Sequence, residues 1–320
     1  VTPVALRRRW RLRLALACVA ALLAGARAYG AAMQGPPDLP DFYQIWYAGR
    51  AVLAGQDPYA LIGPGRVYDL PFVLMYPLPA AIVTLPLALL SAPVACAVFA
   101  GLGGGVFAWA LMARGFASLL GFVSGGMILA TQEAQWSPLL AGAMALPPLG
   151  LLFAAKPTIG TALFAARPSW WPIVGGALLV ALSFAVQPHW LASWWHVVTL
   201  KPPAPGASAP YFQIARLGIG SGALLALVRW RRPEARLLAA LALVPQTPGL
   251  YESIYLGLVP RGWTECACYL ALSFVFFWLV VTHPPSSDAV RLADSGRALG
   301  ALLYVPCTIM VLRRPNVAER

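Results

Sequence analysis

Long apolar runs alternate with short polar breaks along this chain, and the runs define the elements. They are Leu12–Met33, Pro77–Leu90, Pro93–Ala113, Ser118–Ala130, Pro138–Ala154, Thr158–Ala166, Pro172–Val186, Ile214–Val228, Leu237–Val244, Ala267–Thr282 and Leu299–Leu312. Crossing the hydrocarbon core takes ~20 mostly apolar residues in helical form, because lipid offers no hydrogen-bond partner to an open backbone. The pattern predicts an all-α, polytopic helical membrane protein, one integral membrane domain over residues 1–320, with about ten to twelve membrane segments. Several runs are too short to cross alone, and many of the 30 prolines fall inside runs, so broken or re-entrant helices are expected. The first run is too long for the apolar part of a signal peptide and no clear cleavage site follows it. It reads as a retained first helix.

Two breaks are long. The first covers residues 34–76, and within it Phe42–Ala54 sets apolar and aromatic residues at helical spacing before Gly55. That spacing predicts a short amphipathic helix at the membrane interface, beginning at Asp41. The second covers residues 187–212 and carries His189 and His196, whose seven-residue spacing puts both on one face of a helix. Neighbouring tryptophans make an interfacial aromatic belt the plainer reading of that stretch. The proline-rich Lys201–Gly206 that follows is stiff enough to close over a lipid-facing groove.

Composition reinforces the membrane reading. Sixty per cent of residues are hydrophobic and 11% charged, against ~25% charged in a soluble domain. The net charge of +12 does not indicate a nucleic-acid partner, because the arginines cluster where the positive-inside rule puts them. Arg7, Arg8, Arg9, Arg11 and Arg13 precede or open the first run, and Arg229, Arg231, Arg232 and Arg236 lie between two later ones. The amino terminus is then cytoplasmic and the first long loop non-cytoplasmic; if the short Thr158–Ala166 run crosses, Arg167 falls inside and the second long loop also falls outside. Cys18, Cys96, Cys266, Cys268 and Cys307 all lie in apolar runs and read as small hydrophobes, without zinc-site spacing. Gly103-Gly104-Gly105 and Gly218-x-Gly220-x-Gly222 lack the Lys-Ser/Thr of a phosphate loop and read as close helix contacts.

Candidate chemistry concentrates in the first loop. A carboxylate at the lipid–water boundary suits proton abstraction from a hydroxyl attacking a lipid-linked donor. Asp41 fits that role, while Asp41 or Asp38 could equally cap the helix. Asp57-Pro58 is first a turn signal. Lys156, at the end of an apolar run, is either a functional cation or one that snorkels to the interface. Gln132, Glu133 and Gln135 either line a cavity or form a polar turn.

The residues also carry a resemblance. Asp41-Phe42, Tyr47-Ala48-x-Arg50 and Leu53-Ala54-Gly55-x-Asp57-Pro58-Tyr59 are followed by Tyr76-Pro77-x-Pro79 and Leu85-Pro86-Leu87-Ala88. Gln135-x-Ser137-Pro138-Leu139-Leu140, Lys156-Pro157-Thr158-Ile159-Gly160 and Val244-Pro245-Gln246 continue the series. This ordered set resembles glycosyltransferase family 87, multispanning GT-C-type enzymes that use polyprenyl-phosphate sugars, typically mannose. The sequence departs from the family pattern at Leu78 and at Tyr251-Glu252. The resemblance implies a GT-C-like fold and a hexosyltransferase acting on the non-cytoplasmic face of the plasma (inner) membrane. Asp41 is then the catalytic base, and Arg50, Asp57, Tyr59, Gln135, Lys156, His189 and His196 are candidate substrate-binding residues. Implied partners are a polyprenyl-phosphate sugar donor, a lipid or glycan acceptor and membrane lipid. No cofactor or metal is implied, since a phosphate monoester already leaves readily. The competing reading is a non-enzymatic polytopic membrane protein: a transporter, lipid flippase or accessory subunit.

Overall fold

A computed structural model describes residues 3–35, 39–71, 73–200, 214, 217–245, 250–282 and 295–317. Asp38, the Lys201–Gly206 stretch and Gln246 lie outside them, as do the side chains of Tyr251 and Glu252. Among the described residues the regular elements are helical, with a single bridge between Ile62 and Tyr68. Four helices are long and apolar enough to cross a membrane: Arg8–Ala32, Ala92–Arg114, Gly262–Thr282 and Ser295–Leu312. Trp170–Val186 and Trp190–Thr199 also pass as one broken span, bent by 98°. The protein is membrane-embedded and all-helical.

The core pair is α1 (Pro3–Ala32) and α5 (Ala92–Arg114). They run antiparallel, because Gly25 meets Ala97 while Gly105 meets Ala17 and Ala21. Small residues allow this approach: a Cβ added at Gly104 would stand 2.6 Å from the Ala24 Cβ. Apolar side chains gain little from one another in lipid, so tight van der Waals fit supplies the attraction. At one end Arg13 donates to the Trp109 carbonyl at 3.2 Å. That is the arginine end. The opposite end, where α1 stops and α5 begins, carries Asp41.

The segment between them returns to the same end. It holds α2 (Phe42–Leu53), α3 (Pro58–Leu61) and α4 (Leu78–Thr84), the last continuing as a 3-10 turn over Leu85–Leu89. The α2 span agrees with the spacing in the sequence. One face of α2 is packed into protein: Phe42, Tyr43, Ile45, Ala48 and Val52 are all buried. The rest of the loop and α4 fold over it, so most of its apolar face meets side chains.

Between α5 and the span-length helices near the end of the chain, the elements are shorter. A 3-10 segment, Phe116–Val123, joins α6 (Gly125–Gln132), and α7 (Trp136–Ala143) turns back. The run Pro138–Ala154 is two elements, since a separate 3-10 segment occupies Pro147–Ala155. The break has a local cause. Pro147 and Pro148 lack N–H donors, and a residue before proline is pushed out of the helical region; Leu146 sits at φ −125, ψ 86. Next come α8 (Pro157–Ala166), α9 (Trp170–Val186) and α10 (Trp190–Leu200). After them lie the 3-10 segment Gly218–Arg229 and α11 (Pro233–Leu243). The 3-10 segment Leu250–Leu258, α12 (Gly262–Thr282) and α13 (Ser295–Leu312) complete the order. Leu250–Leu258 has no counterpart among the apolar runs, because Glu252, Ser253 and Gly257 dilute its hydropathy. Among the short pieces, α7 is enclosed by protein rather than open to lipid. All residues of α7 are buried.

A polar cluster around Asp41

The turn from Gln132 to Gln135 joins α6 to α7 and organises the cluster. Its third residue, Ala134, has φ 46, a left-handed conformation uncommon for a residue with a Cβ. Arg27 of α1 secures the turn, donating from Nε to the Ile128 carbonyl at 3.0 Å and from Nη2 to Gln132 Oε1 at 3.2 Å. Below it, Phe42 stacks on Phe99 at 4.5 Å, and Phe99 meets Trp136 edge-on at 4.9 Å. Phe99 lies about 10 Å along α5 from Ala92 at 1.5 Å per residue. The loop residues therefore dip into the bundle rather than resting on top of it.

This turn takes over the capping of α2. The Asp41 N–H donates to Glu133 Oε2 at 3.3 Å, and the Phe42 N–H donates to the Glu133 carbonyl at 3.3 Å. Asp41 itself has helical dihedrals and makes no side-chain cap bond. Its carboxylate Oδ2 instead accepts a hydrogen bond from Gln135 Nε2. The Gln135 Oε1 in turn accepts from the Tyr76 hydroxyl at 3.5 Å, which fixes how the amide is oriented. Lys156, at the junction before α8, acts electrostatically on the same carboxylate. Burial pushes the Asp41 carboxyl above its ordinary value of 3.8, and the charge of Lys156 and the Gln135 hydrogen bond pull it part of the way back. The result is a partly buried carboxylate beside a cation, able to take up a proton more readily than a surface aspartate.

The other candidates divide. Gln135 and Lys156 belong to the cluster. Tyr59 supports it one step removed: its buried hydroxyl donates to the Tyr76 carbonyl at 3.1 Å. Asp57 accepts from the Tyr59 N–H at 2.9 Å and so caps α3, the turn role. Arg50 is exposed in the last turn of α2, its guanidinium 5.0 Å from the centre of the Trp46 ring. His189 and His196 are exposed, and neither ring has a hydrogen-bond partner among the described residues. What ties α10 and its approach to the loop is Trp194 Nε1 donating to the Met75 carbonyl at 3.0 Å, with Gln187 Nε2 donating to the Gln56 carbonyl at 2.5 Å. Sequence reasoning passed over Arg27 and the side chain of Tyr76. Arg27 had a signal, a charge within the first apolar run. Among the described residues no three His, Cys, Asp or Glu side chains gather closely enough to hold a metal ion. No family model, curated protein or solved structure matches this chain, so the likeness to glycosyltransferase family 87 stands on the quoted residues alone.

Proposed function

We propose that this membrane protein is a GT-C-type glycosyltransferase that moves a sugar from a polyprenyl phosphate to a hydroxyl of a lipid or glycan. The resemblance makes mannose the expected sugar. The observation that carries the reading is the Asp41 carboxylate, released from helix capping and held by Gln135 beside Lys156. An aspartate that served only as a cap would bond its own helix.

In the proposed step, the acceptor oxygen attacks the anomeric carbon from the face opposite the phosphate. As that C–O bond forms, the C–O bond to phosphate breaks, and the leaving polyprenyl phosphate takes the electron pair. The hydroxyl proton goes to Asp41. The anomeric configuration inverts. Lys156 balances charge on the departing phosphate, and in a water-poor cavity such a charge acts more strongly than in solution. By the positive-inside rule the arginine end is cytoplasmic, which puts Asp41 on the outer side.

A transporter or flippase would gather polar groups near the bilayer midplane, whereas these gather towards the two ends. The deciding assay incubates purified protein with labelled polyprenyl-phosphate mannose and total membrane lipid. A labelled lipid or glycan product that depends on the protein supports the reading. Absence of product, with donor hydrolysis also absent, favours the non-enzymatic alternative.

A further inference from the structure

The arginine end holds a second site of a different kind. Glu234, buried at the start of α11, is met at its Oε1 by Arg232 at 3.3 Å, Arg261 at 3.1 Å and Arg314 at 2.9 Å. Arg314 also pairs with Glu265. Most arginines here are spent on carbonyls near helix C-termini, where cations are favoured. Arg229 donates to Leu312, Arg232 to Pro315, and Arg236 to Ala165 and Ala166.

Arg114 differs. It ends α5, and its buried Nε and Nη2 have no hydrogen-bond acceptor among the described residues. Buried donors are rarely left unmet, and a charged one costs most. Its side chain lines a hollow of about 320 Å³ together with Arg167, Arg261 and Glu234, walled by Ala110 and Met144. Glu234 is met only at Oε1, and its Oε2 is buried without a hydrogen-bond partner among the described residues. Against that one carboxylate stand Arg114, Arg167 and Arg261, so the lining keeps a positive surplus. A water takes ~30 Å³ of liquid volume, so there is room for a phosphate group. A second hollow of about 460 Å³ adjoins it, sharing Met144 and Arg167, and runs past Pro147, Gly150, Phe153 and Pro172, with Ser169 and Arg236 also in its wall.

We propose that this hollow binds a phosphate-bearing anion, with Arg114 and Arg167 on the phosphate beside the Arg261–Glu234 pair, and that the adjoining hollow receives, along its Met144, Phe153 and proline wall, the carbon chain attached to it. The adjoining hollow favours an acidic phospholipid headgroup over free phosphate. Guanidinium suits the role because its planar fork bonds two phosphate oxygens at once. The site lies at the opposite end from Asp41 and does not depend on the transfer reading.

The test uses the full chain in neutral detergent, titrated with short-chain phosphatidic acid, phosphatidylcholine of equal chain length, and inorganic phosphate. Phosphatidic acid should bind and raise the unfolding temperature, and phosphatidylcholine should not. Arg114→Gln should weaken binding about tenfold or more, the usual effect of losing a charged hydrogen bond. Arg167→Gln removes a more exposed side chain and serves if the first variant fails to fold. Arg9→Gln, exposed on α1, should leave binding unchanged. Binding of inorganic phosphate with the same loss in the variants supports the anion site and assigns it to a soluble phosphate compound. No binding of either anion, or binding undiminished in the variants that fold, overturns the proposal.

Discussion

Asp41 opens α2 without capping it, and that displacement shapes what its removal should do. Asn keeps the size and can still accept from Gln135 through its amide oxygen, but it cannot take up the proton. Transfer by Asp41→Asn should fall by about two orders of magnitude or more, a usual general-base effect. Stability should move the other way. Because burial raises the folded-state carboxyl, its favourable contribution is full below 3.8 and is lost as pH rises through the folded value. At neutral pH the variant should unfold at the same temperature or higher in detergent. A fall in unfolding temperature matching the fall in turnover would make Asp41 structural. The same sign governs activity, since the carboxylate form is the base and turnover should drop as pH falls through the raised value. Lys156→Met deletes the charge that pulls this value down, so the acid limb should move to higher pH while maximal turnover drops. Lys156→Arg should keep part of the activity. Identical pH–rate profiles in all three proteins would take Lys156 out of the site.

At the scale of elements, α7 carries Gln135 at its start and rests on α5 through glycine. A Cβ added at Gly142 would lie 2.7 Å from Val106 Cγ1, 2.8 Å from the Val106 carbonyl carbon and 2.9 Å from the Phe107 nitrogen. Two of those atoms are backbone and have little room to shift. Gly142→Val should therefore cost about 1–3 kcal/mol as an overpacking change and lower transfer by moving Gln135. Gly222→Val is the control, since a Cβ there meets nothing within 4 Å. Thermal unfolding of the two variants side by side tests it, and equal midpoints would show that α7 and α5 separate without penalty. Helix α2 teaches a related point. Its period and glycine stop were legible in the chain, but its neighbours were not. Spacing alone cannot tell an amphipathic helix facing lipid from one facing α4 and α5, because both bury the same stripe.

At the scale of the whole molecule, the two ends differ in charge and should face different compartments. In a cysteine-free background, a cysteine replacing Gln56, which is exposed beside α3, should react with an impermeant thiol reagent in intact cells. One replacing Arg231, exposed between Gly218–Arg229 and α11, should react only after permeabilisation. Labelling of both from outside would put the two ends on one side and end the proposed orientation. Glu234 is a poor reporter, although it lies in the same basic stretch, because its carboxylate is buried in ion pairs.

Local physical chemistry is enough to read most of the element plan from this chain. Apolar length, proline positions and the first-loop spacing locate α2, α5, α9 and the end of α1 closely, because lipid forces each backbone to satisfy itself locally. Helix α1 itself begins at Pro3, well before the apolar run that opens at Leu12, because the arginine-rich turns ahead of that run are helical too. The sequence likewise marks Asp41, Gln135 and Lys156 as polar residues at run boundaries. Their meeting could not be read there, since Asp41 and Gln135 come together only when the α6–α7 turn lies over the start of α2. Only the tertiary structure decided that Leu250–Leu258 is an element. It likewise decided that His189 and His196 stay exposed. Each of these outcomes depends on which neighbours supply packing and hydrogen-bond partners across long stretches of chain, and a local pattern carries no record of them.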